Sequence, residues 1–171
     1  MHETLLRTLK FEVQRRRVTM PGGRVVDREM VVHPGAVVIL PALDDGSVVL
    51  IRNYRFAVGE TLLELPAGTL EADEDPRDCA ARELEEETGY RAATIEPLGE
   101  FYTSPGLLSE RMCAFVATDL TQVGQRLDET EEIEVAVHAQ DKIRQLLADG
   151  ALHDGKTLAV LGAYFWQRDR R

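Results

Sequence analysis

Glu83, Glu86 and Glu87 stand three and four residues apart within the run Arg82-Glu83-Leu84-Glu85-Glu86-Glu87-Thr88. On a helix, whose side chains advance by about 100° per residue, that spacing places all three carboxylates on one face. Like charges so placed destabilise a helix by about a few tenths of a kcal/mol per pair, so the arrangement calls for a reason. One reason is a plain solvated acidic face. The other is a hard-cation site, because Mg2+ and Mn2+ take oxygen ligands and commonly keep waters and substrate phosphates in their shell. Periodicity alone leaves both open.

The helix that must carry these groups is well punctuated. Asp75 suits the N-cap and Pro76 the first helical position, Asp78 favours the positive end of the dipole, and Gly89 stands where a left-handed C-cap belongs. Ala80, Ala81, Leu84 and Thr88 are expected on the buried face. Upstream, Gly68 follows a Pro66-Ala67 turn and Glu74 lies in the approach to the helix.

Gly68, Glu74, Arg82, Glu83, Leu84, Glu86, Glu87 and Gly89 match, without a gap, the pattern G-x5-E-x7-R-E-L-x-E-E-x-G. On these positions the chain resembles the Nudix hydrolases, which cleave nucleoside diphosphates linked to another moiety. The next position, commonly aliphatic in that family, is Tyr90 here, a departure that touches no chemical group. The resemblance implies that the acidic face holds metal.

The remaining elements follow from local pattern. Phe11 to Val18 and Arg24 to Val32 read as a β-hairpin around Pro21-Gly22-Gly23, with Arg15-Arg16-Arg17 as a solvated strand edge. Ala36 to Leu40 and Ser47 to Asn53, on either side of Asp44-Asp45-Gly46, read as a second hairpin with strands apolar enough for a sheet interior. Leu62 to Leu65 leads into the Pro-Ala-Gly turn, and Glu64 in that apolar run must find a partner or face a site. Ala92 to Tyr102 and Arg111 to Thr118 are strands joined by a loop containing Pro105-Gly106, and 124–132 is a polar loop. Glu134 to His138 alternates like a strand. Ala139 to Asp149 reads as an amphipathic helix closed by Gly150, and Lys156 to Arg168 as a second, with Leu158, Leu161, Ala163, Phe165 and Trp166 turned mostly inward. The four scattered histidines are assigned to packing or surface.

Composition narrows the function classes. A chain of 171 residues is expected to form one domain, residues 1–171, with about the first 32 as N-terminal strands. No stretch approaches a membrane span, and Met1-His2-Glu3-Thr4 lacks the apolar run of a signal peptide, so a cytoplasmic location is expected. Cys79 and Cys113 have no metal-ligand spacing and read as buried thiols. The net charge of −10 argues against a nucleic-acid-tracking surface. The same charge means that a diphosphate needs divalent cations and a few well-placed arginines to bind.

Further residues resemble the ADP-ribose pyrophosphatase branch of the Nudix family. They are Arg28-Glu29 ahead of His33-Pro34-Gly35-Ala36-Val37, the Tyr54-Arg55 pair, Leu63 to Gly68, Ser104-Pro105-Gly106 with Pro105 sixteen residues beyond Gly89, and Glu129 to Val135. This resemblance implies an α/β (α+β) Nudix fold, an α/β/α sandwich with a central mixed sheet plus N-terminal antiparallel strands. It implies a homodimer in which those strands cross to the partner. It implies hydrolysis of ADP-ribose to AMP and ribose 5-phosphate with Mg2+ or Mn2+, two or more ions. The metal ligands it implies are the Ala67 carbonyl, Glu83, Glu86 and Glu87, with Arg82 orienting the carboxylates. Arg28, Arg52, Tyr54 and Arg55 are expected at the diphosphate or base, Glu64, Pro105 and Gly106 around the pocket, and Glu110 at the terminal ribose. Glu129 is the implied general base, with Glu86 and Glu131 as rivals. Alternatives are another nucleoside diphosphate derivative (a nucleotide sugar, FAD or NADH, a dinucleoside polyphosphate), a non-hydrolytic ADP-ribose sensor, or a structural protein with an acidic helix.

Overall fold

The computed structural model describes residues 2–9, 11–127 and 132–170. The strands are β1 (His2–Arg7), β2 (Glu12–Thr19), β3 (Val25–Val32), β4 (Ala36–Pro41), β5 (Val48–Arg55), β6 (Glu60–Glu64), β7 (Ala67–Thr69), β8 (Tyr90–Tyr102), β9 (Arg111–Gln122) and β10 (Ile133–His138). The helices are α1 (Pro76–Thr88), α2 (Gln140–Ala148) and α3 (Gly155–Arg168). Among the described residues no helix is long and apolar enough to cross a membrane.

Three sheets form, in the orders β1-β2-β3, β10-β5-β6 and β7-β4-β9-β8. The last is mixed, because β4 runs parallel to β9 and antiparallel to β7. β4 explains the layering. Every residue of Ala36–Pro41 is buried, and with side chains alternating across a strand both faces must meet apolar partners. Ala36, Val38 and Leu40 join a core with Ile143 of α2 and Val160, Leu161 and Phe165 of α3. Val37 and Ile39 join a second core with Cys79, Ala80 and Leu84 of α1. β9 does the same, sending Met112 and Ala114 one way and Cys113, Phe115 and Ala117 the other. The result is the α/β/α sandwich with a mixed central sheet and a separate N-terminal antiparallel sheet, as the resemblance implied. Cys79 and Cys113 are free and buried.

Several local expectations are corrected. β4 and β5 do not pair as a hairpin. Beyond β4 the Ala42–Val48 bridge and the bond from the Leu43 N–H to Ser47 O close the turn, but the ladders run in different sheets, β4 with β7 and β9 and β5 with β6 and β10. The turn Asp44-Asp45-Gly46 therefore leads from one sheet to another. The Arg15-Arg16-Arg17 strand is the centre of its sheet, not an edge, because β1 adds outside it. Arg15 pairs there with Glu3 and Glu29 and Arg17 with Asp27. On α1, Ala81 is exposed and Cys79 takes its place in the core. On α3, Leu158, Ala163 and Trp166 face solvent, while Thr157, Val160, Leu161 and Phe165 are buried. Packing on a sheet needs only one stripe of a helix, and that stripe starts from the Thr157 anchor described below.

Candidate active site

α1 forms where its punctuation placed it. Asp75 accepts a hydrogen bond from the Arg77 N–H, Pro76 opens the helix, and Gly89 closes it at φ 72 with its N–H donating to the Glu85 carbonyl. Leu84 and its neighbours pack under β4 and β9. That fixes the rotation of the helix and turns Glu83, Glu86 and Glu87 toward β7.

The approach is close. The Ala67 N–H donates to Glu87 Oε2 at 2.9 Å, and Glu87 is only 3% exposed. A Cβ built on Gly68 would lie 1.8 Å from the Glu83 carboxyl carbon. Only a residue without a side chain lets the carboxylate lie against the strand. Arg82 organises the rest. Its Nε and Nη2 fork onto Glu74 at 2.9 and 3.0 Å, while Nη1 donates to Glu83 at 2.7 Å and to Glu86 at 3.1 Å. Such charge-assisted forks are strong and directional. The guanidinium beside Glu74 holds that carboxyl down at about 2, and the three carboxylates raise the pKa of Arg82 in turn.

Every candidate donor here is an oxygen, the chemistry a hard divalent cation prefers. Among the described residues no group of three His, Cys, Asp or Glu side chains is arranged to enclose an ion by itself. Glu83 and Glu86 share Arg82. The fit is therefore to an open, one-sided site, where backbone, water or substrate oxygens complete the shell.

A cleft of about 660 Å3 runs over this cluster, lined by Arg55, Ala67, Gly68, Arg82, Glu83, Glu86, Glu87 and Arg126 among others. A second lobe of about 570 Å3 shares Arg55, Ala67, Gly68 and Thr69 with it and adds Tyr102, Thr103, Glu110 and Lys156. Arg55 and β7 thus form the saddle between the two lobes. Glu64, in the strand leading into β7, is fully buried and takes Arg55 through Nε at 2.8 Å and Nη2 at 2.6 Å, with Lys156 Nζ at 2.5 Å. The partner that this carboxylate had to find is therefore double. Glu110 accepts from the Thr103 hydroxyl at 2.6 Å and lies 3.5 Å from His33 Nδ1.

Other candidates fall elsewhere. Arg28 lies opposite Arg16 in the N-terminal sheet, Arg52 opposite Glu134 and Leu63, and half-exposed Tyr54 opposite Thr61. None of the three lines either lobe. Pro105 and Gly106 form an exposed turn whose end is pinned to β3, Val31 N–H donating to Leu107 O and Ser109 N–H to Val31 O, both at 2.9 Å. Glu129 and Glu131 lie outside the described residues. Two lining cations, Arg126 and Lys156, were not anticipated. Arg126 follows a segment that docks on the end of α1, its own N–H donating to Glu86 O and the Gln125 amide to Glu87 O. Lys156 reaches the site from the start of α3. Neither carries a local signal that separates it from an ordinary surface cation.

A model of the NUDIX domain matches residues 31–161, well over half of the chain. The chain belongs to the Nudix family, and it is a hydrolase of that family. It is 39% identical over 142 residues to the ADP-ribose pyrophosphatase of Bacillus subtilis (strain 168), covering 82% of this chain and 77% of that protein. It is 37% identical over 157 residues to the methanol dehydrogenase activator of Bacillus methanolicus, covering 91% and 84%. Among solved structures it resembles an ADP compounds hydrolase with a TM-score of 0.84 at 26% identity, over 99% of this chain and 93% of that one. The Nudix match contains α1, β7, the whole lining of the second lobe and all of the first lobe's lining except Leu9, and pyrophosphatases of this family generally use divalent metals.

Proposed function

We propose that this Nudix hydrolase cleaves the pyrophosphate bond of ADP-ribose, consuming one water and releasing AMP and ribose 5-phosphate. The observation that supports it best is the convergence of Glu83 and Glu87 on the Ala67–Gly68 backbone, within a two-lobed cleft whose saddle carries Arg55. The relatives named for ADP-ribose and ADP compounds support the substrate.

In this reading Glu83, Glu86, Glu87 and the Ala67 carbonyl hold Mg2+ or Mn2+, two or more ions. Divalent cations held there would lower the pKa of a water and offset charge on the phosphates. Arg82 keeps the carboxylates in place, as its bonds to Glu74, Glu83 and Glu86 suit it to do. Arg55 presents a fixed charge to the diphosphate, which neutralises charge that grows in the transition state. Glu110 accepts a hydroxyl of the terminal ribose in the second lobe. A carboxylate, Glu129 or Glu86, removes the proton from the attacking water, a contribution of about 10²–10⁴-fold in general. The chain works in the cytoplasm as a single-domain homodimer, with the N-terminal sheet crossing to the partner and bringing Arg28 toward the partner's cleft.

The test is product analysis with ADP-ribose and Mg2+ for the wild type, Glu83→Gln and Glu87→Gln, beside a panel of nucleotide sugars, FAD, NADH and dinucleoside polyphosphates. AMP and ribose 5-phosphate from the wild type, and none from the variants, is the expected result. Near-native turnover by either variant at saturating Mg2+ removes the metal assignment, and preference for another panel member removes the substrate.

A further inference from the structure

Glu64 is 0% exposed, yet it accepts from two cations. A buried carboxylate is costly unless its oxygens are paired. Here Oε1 takes Arg55 Nε, and Oε2 takes both Arg55 Nη2 and Lys156 Nζ. Lys156 is itself enclosed, its side chain 13% exposed, and it also contacts Asp154 Oδ1 at 2.9 Å. Asp154 in turn caps α3 through the Thr157 N–H, and the Thr157 hydroxyl accepts from the Leu65 N–H at 2.8 Å. The start of α3 is thus bolted to the residue after Glu64, 92 positions away in the chain for both the Lys156–Glu64 and the Leu65–Thr157 contacts.

We propose that Lys156 is a positioning residue for substrate binding: by sharing the Glu64 carboxylate it fixes the Arg55 guanidinium on the saddle between the two lobes of the cleft. Two physical effects act together. First, the fork onto Glu64 uses Nε and Nη2 of Arg55, and Nη1, which makes no hydrogen bond among the described residues, is left for an anion. Holding the fork in one geometry means that the substrate does not have to order it. Second, Arg55 and Lys156 balance Glu64 and Asp154. Without Lys156 this quartet carries a net negative charge beside Glu83, Glu86 and Glu87, and a diphosphate is repelled from the saddle.

This inference rests on the proposed hydrolysis of ADP-ribose, and the test separates the two. Steady-state kinetics with ADP-ribose at saturating Mg2+ are measured for the wild type, Lys156→Gln, Lys156→Arg and Glu64→Gln, each with a thermal melt. Lys156→Gln and Glu64→Gln are expected to raise KM by about tenfold or more, the loss of a charge-assisted contact, with kcat kept within about threefold. Lys156→Arg recovers most of the KM. A KM unchanged within about twofold in Lys156→Gln overturns the proposal while leaving the functional reading intact. If Lys156→Gln does not fold, Glu64→Gln, which keeps the shape of the side chain, decides alone: an unchanged KM there breaks the link from Lys156 to Arg55. A fall in kcat with KM unmoved also overturns it. A wild type that leaves ADP-ribose intact fails the functional reading and this role with it.

Discussion

Glu83 lies against Gly68 so closely that an added methyl at residue 68 would stand 1.8 Å from the carboxyl carbon and 1.9 Å from its Oε1. The glycine that opens the Nudix pattern and a glutamate fifteen residues on are thus two sides of one contact. Gly68→Ala should push Glu83 off β7 while leaving both cores untouched. We expect kcat/KM to fall by about 10²-fold, the usual cost of a 1 Å misplacement, with native far-UV circular dichroism retained. Alanine at residue 68 with full activity would mean that Glu83 need not lie where it does.

Acid should weaken the Arg82 hub through Glu74. Folding depresses this carboxyl from 4.5 to about 2, chiefly through the fork from Arg82. A depressed acid contributes stability that is complete above its unfolded pKa and is lost as pH falls through the folded value. The contribution of Glu74 is therefore intact above pH 4.5 and drains away between there and about pH 2. Urea midpoints across that window should drop more steeply for the wild type than for Glu74→Gln, which has no proton to take up.

Gly89 and Gly150 both sit at left-handed φ, 72 and 65, but in different surroundings. A Cβ at Gly150 meets nothing within 4 Å, whereas one at Gly89 meets Gln125 N at 2.7 Å and the Gly124 carbonyl carbon at 2.8 Å. Gly150→Ala should cost only backbone strain, about 1 kcal/mol in denaturant unfolding. Gly89→Ala should cost at least about twice that, because the 123–126 segment docked on the end of α1 must also move.

Removing divalent ions should stop turnover without unfolding the protein. The two cores are built from aliphatic and aromatic side chains, and Arg82 already offsets part of the repulsion among Glu74, Glu83 and Glu86. A chelator is expected to abolish AMP release while lowering the melting midpoint by no more than about 10 °C, the scale of a lost ligand. Restoring Mg2+ should restore both. Global unfolding on chelation would mean that the ions are structural.

The sequence by itself determined the parts that are encoded within a few residues. The N-cap at Asp75, the left-handed Gly89 and the face shared by Glu83, Glu86 and Glu87 were legible because capping and helical periodicity are local, and the β2–β3 hairpin because its turn is. The fixed register from Gly68 to Gly89 likewise made the family legible before any contact was known. Only the tertiary structure decided which strands pair. β4 and the first half of β5, Val48 to Ile51, are both apolar and separated by a good turn, so nothing local opposes a hairpin. The competition is won by β9 and β7 on one side and β6 and β10 on the other, which occupy both ladder edges of β4 and of β5. The same holds for the cations of the cleft. Nothing in their sequence neighbourhood marks Lys156 or Arg126 until the fold brings one to a buried carboxylate and the other to the rim of the acidic cluster. Such contacts depend on burial and on chain paths that close over dozens of residues, and no short pattern records them.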